Sequence, residues 1–273
     1  MNKSNKIWKN SKFNFTENEK EKLNKCKNAQ EELILLFKIF KSKGFIKYDR
    51  EQGDSDGLLG NIFEDLIGVK ENNLKLSDYE EFEIKTKNTK SSSSLVSLFG
   101  YCLDSFKNAN SEIREKYGVI DDKSYKKIFN STVKYSNWNT HRGGYNFKLD
   151  YDDEKLYLRI INNITKYIVD ENKYFWNTQK IMDLFNKIKN CCYIEGEIDK
   201  KNKLVKFNKM LIYKNADIDL FWELLKNDDI VVDFRIGVYK SGKNEGKTHD
   251  HGTGFRIKKD KIEYLYKEKI EVN

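Results

Sequence analysis

The chain has 273 residues, is 38% hydrophobic and 34% charged, and carries 51 Lys plus Arg against 43 Asp plus Glu, a net charge of +8. No apolar run approaches the roughly 20 residues that span a bilayer, and the basic start Met1-Asn2-Lys3-Ser4-Asn5-Lys6 lacks the apolar segment of a secretory signal, so no membrane role and a cytoplasmic location are expected. The size allows one large core or two modest lobes. The basic excess favours a polyanionic partner, although a proline-free chain rich in Lys, Asn and Ile can also be basic through codon bias.

After a polar leader, Ala29 to Phe40 repeats apolar residues at helical spacing, with Gly44 placed to stop the helix. Gly53 to Gly57 reads as a loop. A second helix follows, with Leu59, Ile62, Phe63, Leu66 and Ile67 on one face, Glu64 just off that stripe and Gly68 at its end. A strand pair is predicted at Leu74 to Leu76 and Phe82 to Lys87, then a Ser91 to Ser94 loop and a buried segment from Leu95 to Leu103.

From Tyr125 onward strands dominate: Lys127 to Tyr135, then a hairpin of Tyr145 to Asp150 with Lys155 to Ile161 about Tyr151-Asp152-Asp153-Glu154. Thr178 to Lys189 has helical periodicity, and Cys191 to Asp199 with Leu204 to Tyr213 forms a second hairpin. A short helix from Asp217 to Leu225, a strand from Ile230 to Val238, a Gly-rich loop from Ser241 to Gly254, a strand at Phe255 to Lys258 and a last helix from Lys259 to Lys269 complete the reading. Two lobes are expected, residues 1–120 and 121–273, with segments free to exchange between them. Cys26, Cys102, Cys191 and Cys192 show no CxxC spacing and read as reduced thiols.

The chemistry concentrates first in Ser77-Asp78-Tyr79-Glu80-Glu81-Phe82-Glu83-Ile84-Lys85. On a strand, Glu83 and Lys85 share a face while Phe82 and Ile84 point to a core, and Asp78 at the strand's start can complete a carboxylate pair. Two carboxylates offer hard oxygen ligands for Mg²⁺, with an ammonium beside them to offset phosphate charge. A solvated strand face of alternating charge is the competing reading. Glu64, from the preceding helix, and the Lys87 to Ser94 run, with cations and hydroxyls for a DNA backbone, favour a site.

The second constellation is Thr248-His249-Asp250-His251-Gly252-Thr253-Gly254-Phe255-Arg256, preceded by Val232-Asp233-Phe234-Arg235-Ile236-Gly237. Arg and His donate to guanine edges, and Asp250 can orient an imidazole or accept from a cytosine amino group. The third histidine lies in His141-Arg142-Gly143-Gly144-Tyr145, another basic Gly-containing loop and a candidate DNA contact by composition. Zinc at His249 and His251, and an ordinary solvated turn, are the competing readings. No nucleophile elbow, P-loop or dinucleotide fingerprint is present.

Taken together, Gly60-Asn61-Ile62-Phe63-Glu64-Asp65-Leu66-Ile67-Gly68, the Asp78 to Lys85 element and the two late strings resemble the MvaI/BcnI-type restriction endonucleases. These belong to the PD-(D/E)xK nucleases, which also include the mismatch-repair nickase MutH. The resemblance runs from about residue 30 to 270; the departure is Ser77, where many of the larger group carry proline. It implies an α+β fold, a mixed central sheet flanked by helices, in which two lobes form a cleft around double-stranded DNA. It further implies a monomer with Asp78 and Glu83 as metal ligands, Lys85 as the catalytic lysine and Glu64 as a supporting carboxylate. Arg235, His249, Asp250, His251 and Arg256 fall on recognition positions.

The function expected is a type II restriction endonuclease that uses Mg²⁺ to leave 5′-phosphate ends, nicking one strand at a time at a short GC-rich site of the CCNGG kind. A cognate DNA methyltransferase is expected genetically, not as a bound subunit. The alternatives are a MutH-like nickase, a non-catalytic DNA-binding protein and a Lys-rich globular protein with no nucleic-acid role.

Overall fold

The stripe Leu58, Leu59, Ile62, Phe63, Leu66 and Ile67 is buried along the helix Leu58–Ile67, which ends at Gly68 in the left-handed conformation, φ 86°. A side chain there would meet backbone: a Cβ would lie 2.6 Å from the Ile7 carbonyl oxygen. The helix Ala29–Lys43 buries Leu33, Leu36, Phe37 and Phe40 and stops at Gly44, φ 68°. Each large apolar side chain so buried contributes about 1.5–3 kcal/mol. The computed structural model describes residues 6–50, 57–69, 77–91, 93–152 and 154–273; the strand expected at Leu74 to Leu76 and most of the Gly53 to Gly57 loop lie outside them.

The chain divides into two compact units of interleaved segments, Met1–Ser93 with Lys187–Ala216 and Tyr266–Asn273, and Ser94–Asn186 with Asp217–Leu265. The first division falls at 93/94, and the chain changes unit three more times. Such returns arise because a strand joins the sheet that completes its hydrogen bonds irrespective of its place in the sequence.

The first unit packs its helices on a five-stranded mixed sheet. Cys191–Asp199 lies between the strand Glu83–Asn88, to which it is parallel, and the long strand Leu204–Ala216, to which it is antiparallel. Ile46–Lys47 and Tyr266–Val272 pair with Leu204–Ala216 near its two ends. The helix expected over Lys259 to Lys269 is corrected here: a 3-10 helix, Lys259–Leu265, gives way to the strand Tyr266–Val272. Helix-favouring Lys and Glu yield to the backbone ladder with Met210–Ala216, and Tyr266 and Val272 are buried by it.

The second unit is built on two antiparallel sheets. In one, the order is Leu95–Gly100, Gly254–Lys258, Ile230–Val238, Lys127–Val133 and Val119–Ile120, with Thr248–Asp250 also on Ile230–Val238. The other centres on Lys155–Asn162, flanked by Tyr145–Tyr151 and, on its other edge, by Ile168–Asp170 and Phe175–Asn177. Two helices were not foreseen. Glu17–Lys25 buries only Leu23 but starts at a Thr16/Glu19 capping box, and Ala109–Tyr117 carries a single stripe of Ala109, Ile113 and Tyr117. Among the described residues no helix is long and apolar enough to cross a membrane, and all four cysteines are free thiols.

Candidate active site and nucleic-acid interface

In the first unit, the turn between the two candidate metal carboxylates sets their geometry. Tyr79 and Phe82 exchange both backbone hydrogen bonds at 2.9 Å, so Glu80 and Glu81 form a two-residue hairpin turn. Glu80 sits at φ 51°, a conformation that favours glycine and costs a Glu about 1–3 kcal/mol. The turn is held by what surrounds it. Phe82 and Tyr79 are buried, and the Tyr79 hydroxyl donates to Glu32 at 2.7 Å. Glu32 is itself fully buried against the Lys6 ammonium, also at 2.7 Å.

The hairpin brings Asp78 back onto the strand, where its Oδ2 accepts from the Ile84 N–H at 2.9 Å. Glu83 opens the strand, buried to 5%, and its Oε1 accepts from Lys85 Nζ at 2.7 Å. Its Oε2 is buried with no hydrogen bond, while Lys187 Nζ stands 3.3 Å away as an ion-pair partner and 3.9 Å from Asp78 Oδ1. Ser77, in the position where proline is common, donates from Oγ to the Lys187 carbonyl at 3.1 Å. Behind the strand, Gly60 lets the helix approach: a Cβ there would lie 3.1 Å from Thr86 Oγ1.

The charges act strongly on one another. Burial, then the Asp78 and Glu83 carboxylates, push Glu64 up to about 7 against the pull of Lys85 and Arg50. Burial also raises Glu83, opposed by Lys85. For Lys85 burial alone would favour the neutral amine, but the charge of Glu83 and its hydrogen bond outweigh it and raise the ammonium. The 2.7 Å contact between them is that of a charge-assisted pair.

The structure therefore pairs Glu83 with Lys85, ties Asp78 to the same strand through the Ile84 N–H, and adds Glu64 through its electrostatic coupling. Lys187 was missed, for it lies over a hundred residues away at the end of a predicted helix, where no spacing signals it. Among the described residues no three His, Cys, Asp or Glu side chains gather as a metal cluster. That does not disfavour Mg²⁺, which commonly takes only one or two carboxylates and completes its shell with water and substrate oxygens. A buried carboxylate oxygen without a hydrogen bond, next to a second carboxylate, fits such a cation. It gives no support to zinc at His249 and His251.

In the second unit, the alternation of Ile230–Val238 buries Val232, Phe234 and Ile236 and turns Asp233, Arg235 and Gly237 to the other face. Register places Thr132 beside Asp233 and Asn130 beside Arg235. Asp233 Oδ2 lies 2.9 Å from both Arg235 Nε and Arg256 Nε, and its Oδ1 accepts from Thr132 at 2.9 Å. A concavity of about 510 Å³ is lined here by Asn130, Thr132, Asp233, Arg235 and His251 among others. His251 rests on Gly237, where a Cβ would lie 3.2 Å from its Nε2, and its backbone N–H donates to the Arg235 carbonyl at 2.7 Å. His249 stacks on Tyr239 at 4.1 Å and contacts His251 at 4.0 Å.

Two expected contact residues are placed otherwise. Asp250 turns inward to its own loop, accepting from Gly252 N, Thr253 N and Asn110 Nδ2 at 2.8, 2.6 and 2.5 Å and from the Cys102 thiol at 3.3 Å, so it shapes the loop carrying the two histidines. His141 is buried to 7% between Phe129 and Phe147, its Nε2 hydrogen-bonded to the Tyr117 carbonyl at 3.1 Å. A ring so enclosed is a core residue, a correction to the composition-based expectation. Its neighbour Arg142 is exposed, with a side chain 78% accessible.

The family model of the MvaI/BcnI restriction endonucleases matches residues 34–266. The chain belongs to the MvaI/BcnI restriction endonuclease family. Restriction endonuclease MvaI in complex with its cognate DNA substrate is 28% identical, with a TM-score of 0.77, and the match covers 95% of this chain and 100% of that one. MvaI in the absence of DNA is 29% identical, with a TM-score of 0.56 over 91% and 99% of the two chains. No curated protein sequence matches. This family member is a type II restriction endonuclease with the mixed α+β fold that its sequence led us to expect.

Proposed function

We propose that this endonuclease hydrolyses double-stranded DNA at a short GC-rich site of the CCNGG kind, with Mg²⁺ held by Asp78 and Glu83, and leaves 5′-phosphate ends. The observation that carries the reading is the buried Glu83 carboxylate, bound on one oxygen by Lys85 and without a hydrogen bond on the other, facing Asp78. A divalent cation bound there supplies Lewis-acid polarisation of the phosphate and lowers the pKa of water. Lys85, fixed by Glu83 and kept charged, orients the attacking water and offsets negative charge as it develops at phosphorus. Asp78, its Oδ2 fixed by the Ile84 N–H, is preorganised and loses little freedom on binding. Glu64, poised near 7, exchanges protons close to neutral pH beside them.

Arg235, Arg256, His249 and His251 are the base-reading candidates, with Asp250 shaping the loop and Arg142 a backbone contact. Asp233 orients both arginines by holding each near its Nε. One catalytic constellation in a monomer cuts one strand at a time, so nicked circles should precede linear DNA. The test is to incubate a sequenced plasmid with the protein and Mg²⁺ and to map the ends. Discrete GC-rich sites with 5′-phosphates support the proposal. Cleavage that persists in EDTA, or ends scattered without sequence preference, refute it. Nicked circles that never become linear would favour the MutH-like alternative.

A further inference from the structure

Lys187 is not part of the Asp78 to Lys85 element, yet its ammonium reaches two of that element's carboxylates. The two lysines divide the oxygens between them. Lys85 takes Glu83 Oε1 at 2.7 Å, while Lys187 stands 3.3 Å from Glu83 Oε2 and 3.9 Å from Asp78 Oδ1. Asp78 Oδ2 is occupied by the Ile84 N–H. The oxygens that face Lys187 are therefore the two not held by a hydrogen bond from Lys85 or Ile84, and they are the ones left for a metal. Lys187 is also anchored: its carbonyl accepts from Ser77 Oγ at 3.1 Å, which ties its segment to the residue just before Asp78. Its side chain is 24% accessible, with room for the ammonium to leave.

We propose that Lys187 is a built-in counter-ion that occupies the metal's carboxylate oxygens in the metal-free protein and must be displaced when a divalent cation binds. Two carboxylates held this close repel each other, and an ammonium between them relieves that repulsion until a cation of higher charge competes for the same oxygens. The displaced ammonium remains on a flexible stem beside the site, free to meet the incoming phosphate. Metal affinity without DNA is thereby kept low. The inference rests on the assignment of Asp78 and Glu83 as metal ligands.

The experiment is a titration of the full-length protein with Mn²⁺ alone, without DNA, followed by loss of the free-ion EPR signal. The proteins compared are wild type, Lys187→Gln, Lys187→Arg, Arg50→Gln and Asp78→Asn. Lys187→Gln, which keeps the length and removes the charge, is expected to bind Mn²⁺ about tenfold more tightly than wild type. Lys187→Arg should stay near wild type. Arg50, which pairs with Asp65 at 3.0 Å and pulls on Glu64, should change affinity by less than about twofold when replaced. Circular dichroism confirms that each variant is folded. Equal or weaker binding by Lys187→Gln, or an equal gain in Arg50→Gln, overturns the counter-ion role while loss of binding in Asp78→Asn keeps the metal site standing. Undiminished binding by Asp78→Asn overturns the metal assignment, and this proposal with it.

Discussion

Replacing Glu64 by Gln should stabilise the metal-free protein at alkaline pH and not at acid pH. Burial, Asp78 and Glu83 raise the folded-state pKa of Glu64 from 4.5 to about 7. Between those values the unfolded chain has released a proton that the folded chain retains, so the free energy of unfolding falls as pH rises, by up to about 1.36 kcal/mol per pH unit. The interval of about 2.5 pH units sets a ceiling of ~3 kcal/mol, and partial access of water reduces this to about 1–2 kcal/mol. The Glu64→Gln variant has no proton to release at this position and escapes the penalty. Urea unfolding in EDTA at about pH 4.5 and about pH 8 measures the difference. Equal midpoints are expected in acid and a higher midpoint for Glu64→Gln in base. A variant no more stable than wild type at about pH 8, or a gap that does not close in acid, would refute the electrostatic coupling.

Glu32→Ala leaves Lys6 without its carboxylate and the Tyr79 hydroxyl without an acceptor, and should cost about 3–5 kcal/mol in urea unfolding. Glu80→Gly relieves the positive φ of the Tyr79–Phe82 turn and should raise stability by about 0.5–1 kcal/mol net of the added unfolded-state entropy. Arg235→Ala should weaken binding by about 1–3 kcal/mol and broaden the set of sequences bound, read by competition with single-substitution duplexes. Arg142→Ala should weaken binding to all sequences alike and reduce the salt dependence of log K by about one contact.

The strand of the candidate site was legible because its information is local. Alternation put Glu83 and Lys85 on one face with Phe82 and Ile84 behind them, and the structure keeps that arrangement. The Leu58–Ile67 helix was equally plain from its stripe and from Gly68. Lys187 was invisible since its approach depends on a chain return that no spacing records. His141 shows the converse error: a His-Arg-Gly-Gly string resembles a ligand loop, but two phenylalanines from other strands enclose the ring. Asp250 was partly readable, for an Asp two residues before Gly is a common Asx turn, and its carboxylate caps Gly252 and Thr253. The tail from Tyr266 misled because its charged residues suit a helix, whereas its partner strand is fixed some fifty residues upstream.

The central claim is that Asp78, Glu83 and Lys85 form a metal-dependent hydrolytic centre. Plasmid cleavage by wild type, Asp78→Asn and Lys85→Ala, each verified as folded by its melting curve, tests it most directly when run with Mg²⁺ and with EDTA. Wild type should cut only with Mg²⁺, and each variant should lose at least about 10²-fold in rate while retaining specific DNA binding. Near-wild-type cutting by either variant, or cutting by wild type in EDTA, would contradict the account.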